Sequence, residues 1–334
     1  MTSFLFITAI LLAAASAVTC CPASDRDALL AFKASLHEPY LGIFNSWTGN
    51  DCCHKWYGIS CDSTNGRVAD INLRGESEDP LFQKAHRTGY MSGTISPAIC
   101  KLTWLSSIII ADWKGITGPI PDCVSYLPYL RMLDLIGYIP RSISGLTSLM
   151  HLDLRNNQFS GPLPRDIGKL RMMSRALLSR NRISGPIPNT ISYIYRLSDL
   201  DLSLNQISGA IPPSLGKMGV LATLNLDGNK LSGTIPTTLI NSGVSILNLS
   251  KNALEGNIPD VFGPRSYFTA MDLSYNQLKG PIPKSISAAS YIGHLDLSHN
   301  HLCGQIPVGS PFDHLEASSF ANNDCLCGKP LRSC

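Results

Sequence analysis

The stretch LATLNLDGNKLSGTIPTTL, Leu221 to Leu239, carries the rule by which most of this chain is written. Leu221, Leu224 and Leu226 are read as inward residues, and the L-x-L pair alternates in and out as a strand of about three residues does. Asn229 follows three residues after Leu226, and Gly233 opens a G-x-I-P motif. The proline of each such motif lacks a donor and prevents an α-helix from continuing, so the return path is read as extended or 3₁₀. Working outward, the motif's glycine recurs at Gly93, Gly118, Gly137, Gly161, Gly185, Gly209, Gly233, Gly256, Gly280 and Gly304. The intervals are 25, 19, 24, 24, 24, 24, 23, 24 and 24 residues. Such regularity is the mark of a solenoid, in which each coil stacks on its neighbours.

The asparagine keeps the same period, at Asn157, Asn181, Asn205, Asn229, Asn252, Asn276 and Asn300. An inward amide offers donors and an acceptor to turn backbone that is otherwise buried and unpaired, so a column of structural amides is expected. One coil departs from the pattern. In LRMLDLIGYIPRSISGL, Leu130 to Leu146, the LDL and GYIP halves stand together with five residues missing. The turn that would hold the asparagine is omitted. This predicts an interrupted column between Asp112–Lys114 and Asn157, a local kink, and weaker coupling between the first and central coils.

Composition narrows the class of protein. The net charge is +3 over 334 residues, too small a field to imply nucleic acid, and none is expected as a partner. FLFITAILLAAASAV, Phe4 to Val18, is an apolar run of signal-peptide length, and Ala15-Ser16-Ala17 fits small-x-small cleavage. The expectation is a secreted chain, soluble and oxidised, with no membrane anchor, because no later segment is long and apolar enough to span a bilayer. Eleven cysteines cluster mainly at the two ends without zinc-finger spacing, which favours disulfides over a metal site.

The repeat unit, with the flanking phrases DRDALLAFKASL, NSWTGNDCCHKWYGISCD and SSFANNDCLCGKPLRSC, resembles the plant-type leucine-rich-repeat family. HEPYLGIFNSW, RGESEDPLFQKAHRTGYMSG and SPFDHLEASSF resemble one subgroup of it. That subgroup comprises the proteins labelled DNA-damage-repair/toleration proteins, relatives of the polygalacturonase-inhibiting proteins. The resemblance implies an α/β-type leucine-rich-repeat solenoid with short parallel strands on its concave face and disulfide-closed caps. The organisation expected is a signal peptide over 1–19, an N-terminal cap over 20–67, repeats over 68–307 and a C-terminal cap over 308–334. An insert covers 74–92, and the shortened repeat lies near 133–140. Ser24 is placed to cap a helix whose Leu29, Phe32 and Leu36 cover the first rung. The family's caps imply the pairs Cys21–Cys52, Cys53–Cys61, Cys303–Cys325 and Cys327–Cys334. Cys100 and Cys123, one coil apart, can bridge coils. One of Cys20 and Cys21 is left odd, free or linking two molecules; a monomer is expected, with a dimer through Cys20 as the other state.

No cofactor, metal or catalytic site is expected. The chain has no phosphate-binding glycine loop, metal-ligand helix or nucleophile elbow. His294 and His299 read as strand-flanking surface positions and His301 as a turn residue, not as ligands. Asp153, Asp201, Asp272 and Asp296 recur along an array and so do not make the isolated carboxylate pair of a glycosidase. The array is instead a surface. Solenoid curvature gathers the strand-exposed positions on one wall, where the candidate partner-binding residues are His151, Asp153, Arg155, Arg175, Arg180, Asp201, Asn225, Lys251, Asp272, Tyr275, Asp296 and His299. Leu177, Leu204, Asp227 and Asn248 share it, and aromatic anchors are nearly absent. The insert, with Glu76, Glu78, Asp79, Lys84, His86 and Arg87, is a second candidate. Asn248-Leu249-Ser250 is a glycosylation sequon on the wall. The expected function is non-enzymatic recognition in the plant cell wall or apoplast, in defence or stress, of a protein such as a microbial wall-degrading enzyme or of a wall polysaccharide. The alternatives are a DNA-damage-tolerance role, suggested only by the subgroup's label, and a co-receptor-like ectodomain.

Overall fold

The computed structural model describes residues 21–75, 89–111, 113–135 and 141–334. The expected signal segment, Cys20, the charged middle of the insert and residues 136–140 of the short coil lie outside these. Among the described residues an 11-stranded sheet runs the length of the chain. It starts with the antiparallel pair Ile59–Cys61 and Val68–Arg74, and every later pairing is parallel. The repeat strands are three residues long through the central coils, as at Arg175–Leu177, Asp199–Asp201 and Thr223–Asn225. Their central residues Ala176, Leu200 and Leu224 point inward and are buried, while their neighbours stay half exposed or exposed. Rungs of leucine and isoleucine fill one continuous core. Outside it, most of the prolines are followed by a short 3₁₀ turn, such as Asn189–Tyr193 or Pro213–Lys217. Thr237–Ile240 closes instead as a single α-helical turn, and the return after Pro259 forms neither.

The asparagines form the expected column. Asn181 Nδ2 donates to Leu154 O of the preceding coil at 2.8 Å and to Leu178 and Ser179 O of its own turn at 3.0 and 3.1 Å. Its Oδ1 accepts the Phe159 N–H at 3.0 Å. Asn205, Asn229, Asn252, Asn276 and Asn300 repeat this set. The column also extends beyond the sequence reading at both ends. Asn323 in the C-terminal cap donates to Leu297 O and accepts the Leu302 N–H. At the other end Trp113 stands three residues after Ile110, in the asparagine's place, and its indole N–H donates to Leu73 O at 3.0 Å.

The short coil does not break the long sheet, although among the described residues the amide column has no member between Trp113 and Asn157. Met132–Leu135 pairs in register with Ser107–Ala111 on one side and His151–Asp153 on the other. Asn157 Nδ2 donates to Leu135 O at 3.1 Å, the same cross-coil bond that the later asparagines make. The residues leading into each G-x-I-P form a second parallel sheet that the sequence reading does not contain, and it comes in two pieces among the described residues. One is an 8-stranded sheet from Ser160–Pro162 to Cys325–Cys327; the other is the 3-stranded set Leu36–His37, Tyr90–Thr94 and Lys114–Thr117.

Both ends are sealed. The helix Ala23–Lys33 buries Ala28, Leu29 and Phe32 against the first rungs. Two readings need correction here. Ser24 is not the cap: the helix starts after Pro22, whose fixed φ of −54° sets the turn, and Ser24 Oγ only meets Asp25 Oδ1. Leu36 is not helical either; it leaves the helix to pair with Gly93, yet remains buried. Asp25 is fully buried and accepts from Arg67 Nε and Nη2 at 2.9 and 2.8 Å and from the Val68 N–H at 3.0 Å. Disulfides join Cys21 to Cys52, Cys53 to Cys61, Cys100 to Cys123, Cys303 to Cys325 and Cys327 to Cys334.

Two substitutions test these contacts. Asn205→Ala removes an amide serving two coils and is expected to cost about 1–3 kcal/mol, since buried carbonyls are left unpaired. Asp25→Ala strands a guanidinium and a buried N–H together and is expected to cost about 3–5 kcal/mol. Urea midpoints of the oxidised protein measure both, and the second loss should exceed the first.

Candidate functional site

On each inner-wall strand the residues flanking the buried centre look outward, so register decides which side chains meet across coils. Met132, His151, Arg175, Asp199 and Thr223 form one line; Asp134, Asp153, Leu177, Asp201, Asn225, Asn248, Asp272 and Asp296 form the next. A third line lies at the exit of the strand. Asn156, Arg180, Leu204, Lys251, Tyr275, His299 and Asn322 all hold positive φ, between 52° and 57°. Left-handed backbone at non-glycine residues carries a cost. It is held here because each of these N–H groups bonds a carbonyl of the next coil where the pairing is seen, as Arg180 does to Ser203 and Leu204 to Asp227. Gly228 alone in this line is glycine, and a Cβ there would come within 2.6 Å of Leu204 Cδ2.

Charges of opposite sign interleave at the N-terminal half of the wall. Arg155 folds back on its own strand, its Nε and Nη2 on Asp153 at 2.9 and 2.6 Å, and this bidentate contact raises the guanidinium further above its ordinary range. Arg175 Nε lies 3.9 Å from Asp199, and Arg74 reaches Asp134 at 3.5 Å from two coils away. Arg74, Asp134, His151, Asp153 and Arg175 line a depression of about 240 Å³ with Met132, Leu133, Leu152 and Leu177. It sits over the short coil.

The C-terminal half is built differently. Lys251 Nζ is 3.4 Å from Asp227, and Ser250 Oγ bonds the same carboxylate at 2.8 Å. The carboxylates of Asp201, Asp272 and Asp296 turn back to accept the N–H two residues on, tying each to its own turn. Tyr275 and His299 stack with centroids 3.9 Å apart and planes 11° from parallel, and Asn322 Nδ2 meets His299 Nε2 at 2.7 Å. His301 belongs to a strand, His301–Gln305, not to the turn, and its Nδ1 lies 3.0 Å from Asp324. The cluster of three metal-type donors found among the described residues is Cys52, Cys53 and Cys61, all in disulfides.

All twelve residues expected on this wall lie along it. Arg74, Asp134 and Asp199 are additional members. Asp134 was legible, since it occupies the same LDL frame as Asp153; Arg74 was hidden because its partner is two coils distant, across the insert.

The fold is a leucine-rich-repeat solenoid: short parallel strands carrying polar pairs on one wall, with an asparagine column behind them and disulfide-closed caps. The chain matches the leucine-rich-repeat N-terminal domain over residues 22–62 and the leucine-rich repeat over 148–170, 196–218 and 220–242. It is 64% identical over 123 residues to the DNA damage-repair/toleration protein DRT100 of Arabidopsis thaliana, covering 36% of this chain and 33% of that protein. It is 32% identical over 115 residues to a polygalacturonase inhibitor of Vitis vinifera, covering 34% of this chain and 30% of the inhibitor. The matched stretches thus span about a third of these relatives. Among solved structures, a plant ice-binding protein superposes with a TM-score of 0.79 at 28% identity over 94% of this chain and 98% of that one. The PEPR1–AtPEP1 structure superposes with a TM-score of 0.71 at 26% identity over 90% of this chain and 45% of that one.

The Asp153–Arg155 pair is at the surface, with side chains 23% and 49% exposed, so its role in stability is expected to be small. A double-mutant cycle with Asp153→Ala and Arg155→Ala, read by urea unfolding, should return a coupling of no more than about 1 kcal/mol. A larger coupling would make the pair a structural clamp.

Proposed function

We propose that this chain is an extracellular, non-enzymatic recognition protein of the plant cell wall that binds a protein partner through its inner wall. The partner best suited to the reading is a microbial wall-degrading enzyme, and the setting is defence or stress. One observation carries this: the parallel register that aligns charged side chains of both signs on successive strands of one wall. Interleaved charge of this kind favours electrostatic complementarity to a folded surface, which sets partner choice and association rate. The likeness to polygalacturonase inhibitors supports a protein partner of that class. Five disulfides support an oxidising compartment. Among the described residues no helix is long and apolar enough to cross a membrane.

Catalysis is disfavoured by the same geometry, because the wall carboxylates are ion-paired or bound to their own turns rather than facing each other in a closed pocket. A DNA-tolerance role is disfavoured because Arg74, Arg155 and Arg175 each lie against an aspartate, leaving them poorly disposed toward phosphates. The sequon asparagine, Asn248, faces the partner side, its Oδ1 accepting from the Ser250 N–H and Oγ at 3.0 and 2.7 Å. A glycan there would confine docking to the coils around Arg155, Arg175 and Arg180.

Surface plasmon resonance of the secreted protein against fungal endopolygalacturonases tests the reading. Reversing Arg155 and Arg175 to Glu together is expected to weaken capture about 100-fold or more, as loss of paired interface charges does. Capture unaffected by the reversal would exclude this half of the wall. Intact mass before and after glycosidase treatment is expected to reveal a glycan on Asn248; an unchanged mass would return the later coils to the docking surface.

A further inference from the structure

The inner wall is not where the exposed aromatic side chains lie. Between each outer turn and the next wall strand the chain crosses one flank of the solenoid, at 101–104, 126–129, 145–148, 169–172, 193–196, 217–220, 241–243, 264–267 and 288–291. These 35 residues contain seven Trp or Tyr, one in five, against an aromatic share of 7% in the whole chain. They contain no Asp or Glu and six cations: Lys101, Lys169, Arg171, Arg196, Lys217 and Arg265. All six cations are exposed. Lys169 is held by Asp166 at 2.9 Å, but the other five make no ion pair among the described residues, in contrast to the arginines of the inner wall.

The aromatics are arranged, not scattered. Trp104 stacks on Tyr129 with centroids 4.9 Å apart, and Tyr267 on Tyr291 at 5.2 Å, each pair on adjacent coils of one column. Tyr193 and Tyr195 lie between the pairs and Tyr126 precedes Tyr129 on the same coil; all three are more than half exposed, with the Arg196 guanidinium 5.9 Å from the Tyr195 ring centre. In the same column the strand register brings Val220, Gly243 and Tyr267 onto successive coils. The 241–243 crossing, one residue shorter than its neighbours, thus presents a glycine between Val220 and Tyr267. A groove of about 710 Å³ opens there, floored by Gly219 and Gly243 and edged by Lys217, Asn241 and Arg265.

We propose that this flank is a binding site for a linear polyuronate, an acidic polysaccharide carrying one carboxylate per sugar. The unpaired cations from Arg171 through Arg196 and Lys217 to Arg265, one to two coils apart, answer a polymer with evenly spaced charges at the coil spacing of about 4.8 Å; Lys101 stands three coils before them. Flat exposed rings answer the apolar C–H face of a pyranose, and lysine, arginine and asparagine at the groove supply donors to carboxylate and hydroxyl. From Tyr129 to Tyr267 the track covers six coils, about 29 Å at that spacing, long enough for several sugars. Single-stranded nucleic acid is the other polymer bound by rings among cations. The disulfides place this chain where thiols oxidise, and there the acidic glycan is the fitting occupant. The site is separate from the inner wall, so the two surfaces can be occupied together.

The test uses the full oxidised protein and calorimetric titration with de-esterified oligogalacturonate. Binding is expected, and it should weaken steeply as salt rises, because it rests on cation–carboxylate contacts. Lys217→Glu with Arg265→Glu is expected to reduce affinity at least about tenfold, a change of about 1.4 kcal/mol. Tyr195→Ala with Tyr267→Ala should do likewise, while Tyr195→Phe with Tyr267→Phe, keeping the rings and the fold, should bind as the parent does. Arg155→Glu with Arg175→Glu should leave glycan binding unchanged, and the flank variants should still capture a protein partner, so each surface fails or stands separately. Absent binding, equal binding of the fully methyl-esterified chain, loss through the inner-wall variant instead, or tighter binding of oligothymidylate would each overturn the proposal.

Discussion

One amide nitrogen shared among three carbonyls, repeated coil after coil from Asn157 to Asn323, is the contact on which this molecule depends. After each L-x-L strand the chain must turn outward while its backbone is still inside the core. Carbonyls there have lost water and would remain unpaired, which a buried backbone does not tolerate cheaply. Asn181 meets that need for Leu154, Leu178 and Ser179 at once and closes the circuit by accepting from Phe159. Because one of the bonds always crosses to the preceding coil, the column fixes register as well as turn shape. Register in turn decides that Asp153, Leu177 and Asp201 stand in a line and that Tyr267 stands beside Tyr291.

The places where the column is altered show which parts of its work can be replaced. Trp113 supplies a donor to Leu73 O but, as an indole, has no acceptor to return. The short coil lacks its asparagine, and Asn157 of the next coil still donates to Leu135 O as the later asparagines do to their preceding coils. In both, the inner wall continues because its ladder needs only strand backbone. The second sheet lies in two pieces among the described residues, and the position between them falls on residues 136–140, outside those described. A solenoid can therefore shorten one coil and keep its inner wall intact.

Two faces built from the same repeat carry different electrostatics. On the inner wall, arginines meet aspartates within 4 Å, and the surface charge is largely answered from within. On the flank, five exposed cations stand without such answers beside seven exposed rings. A mixed wall discriminates among folded surfaces through its pattern of sign, whereas a single-sign strip attracts a polymer through its summed field. The aromatic content follows the same division: Tyr275 is the wall's exposed ring, and its face is already covered by His299.

The period, the inward leucines, the proline-closed return and the asparagine column were all legible in the sequence, because each obeys a local rule repeated at a fixed spacing. The wall residues were legible for the same reason, Asp134 included, since strand alternation assigns a face to every position. What the sequence did not disclose lay wherever the partner was distant or the local rule had a substitute. Trp113 in the asparagine's place, Arg74 bonding over two coils, Leu36 leaving its helix for Gly93 and the second sheet are all of that kind. Ser24 had the right chemistry for a cap, but Pro22 set the first turn. The flank is the clearest instance. Its cations and rings are spread over 190 residues with no motif joining them, and only the stacking of coils at a strand's width brings them onto one surface.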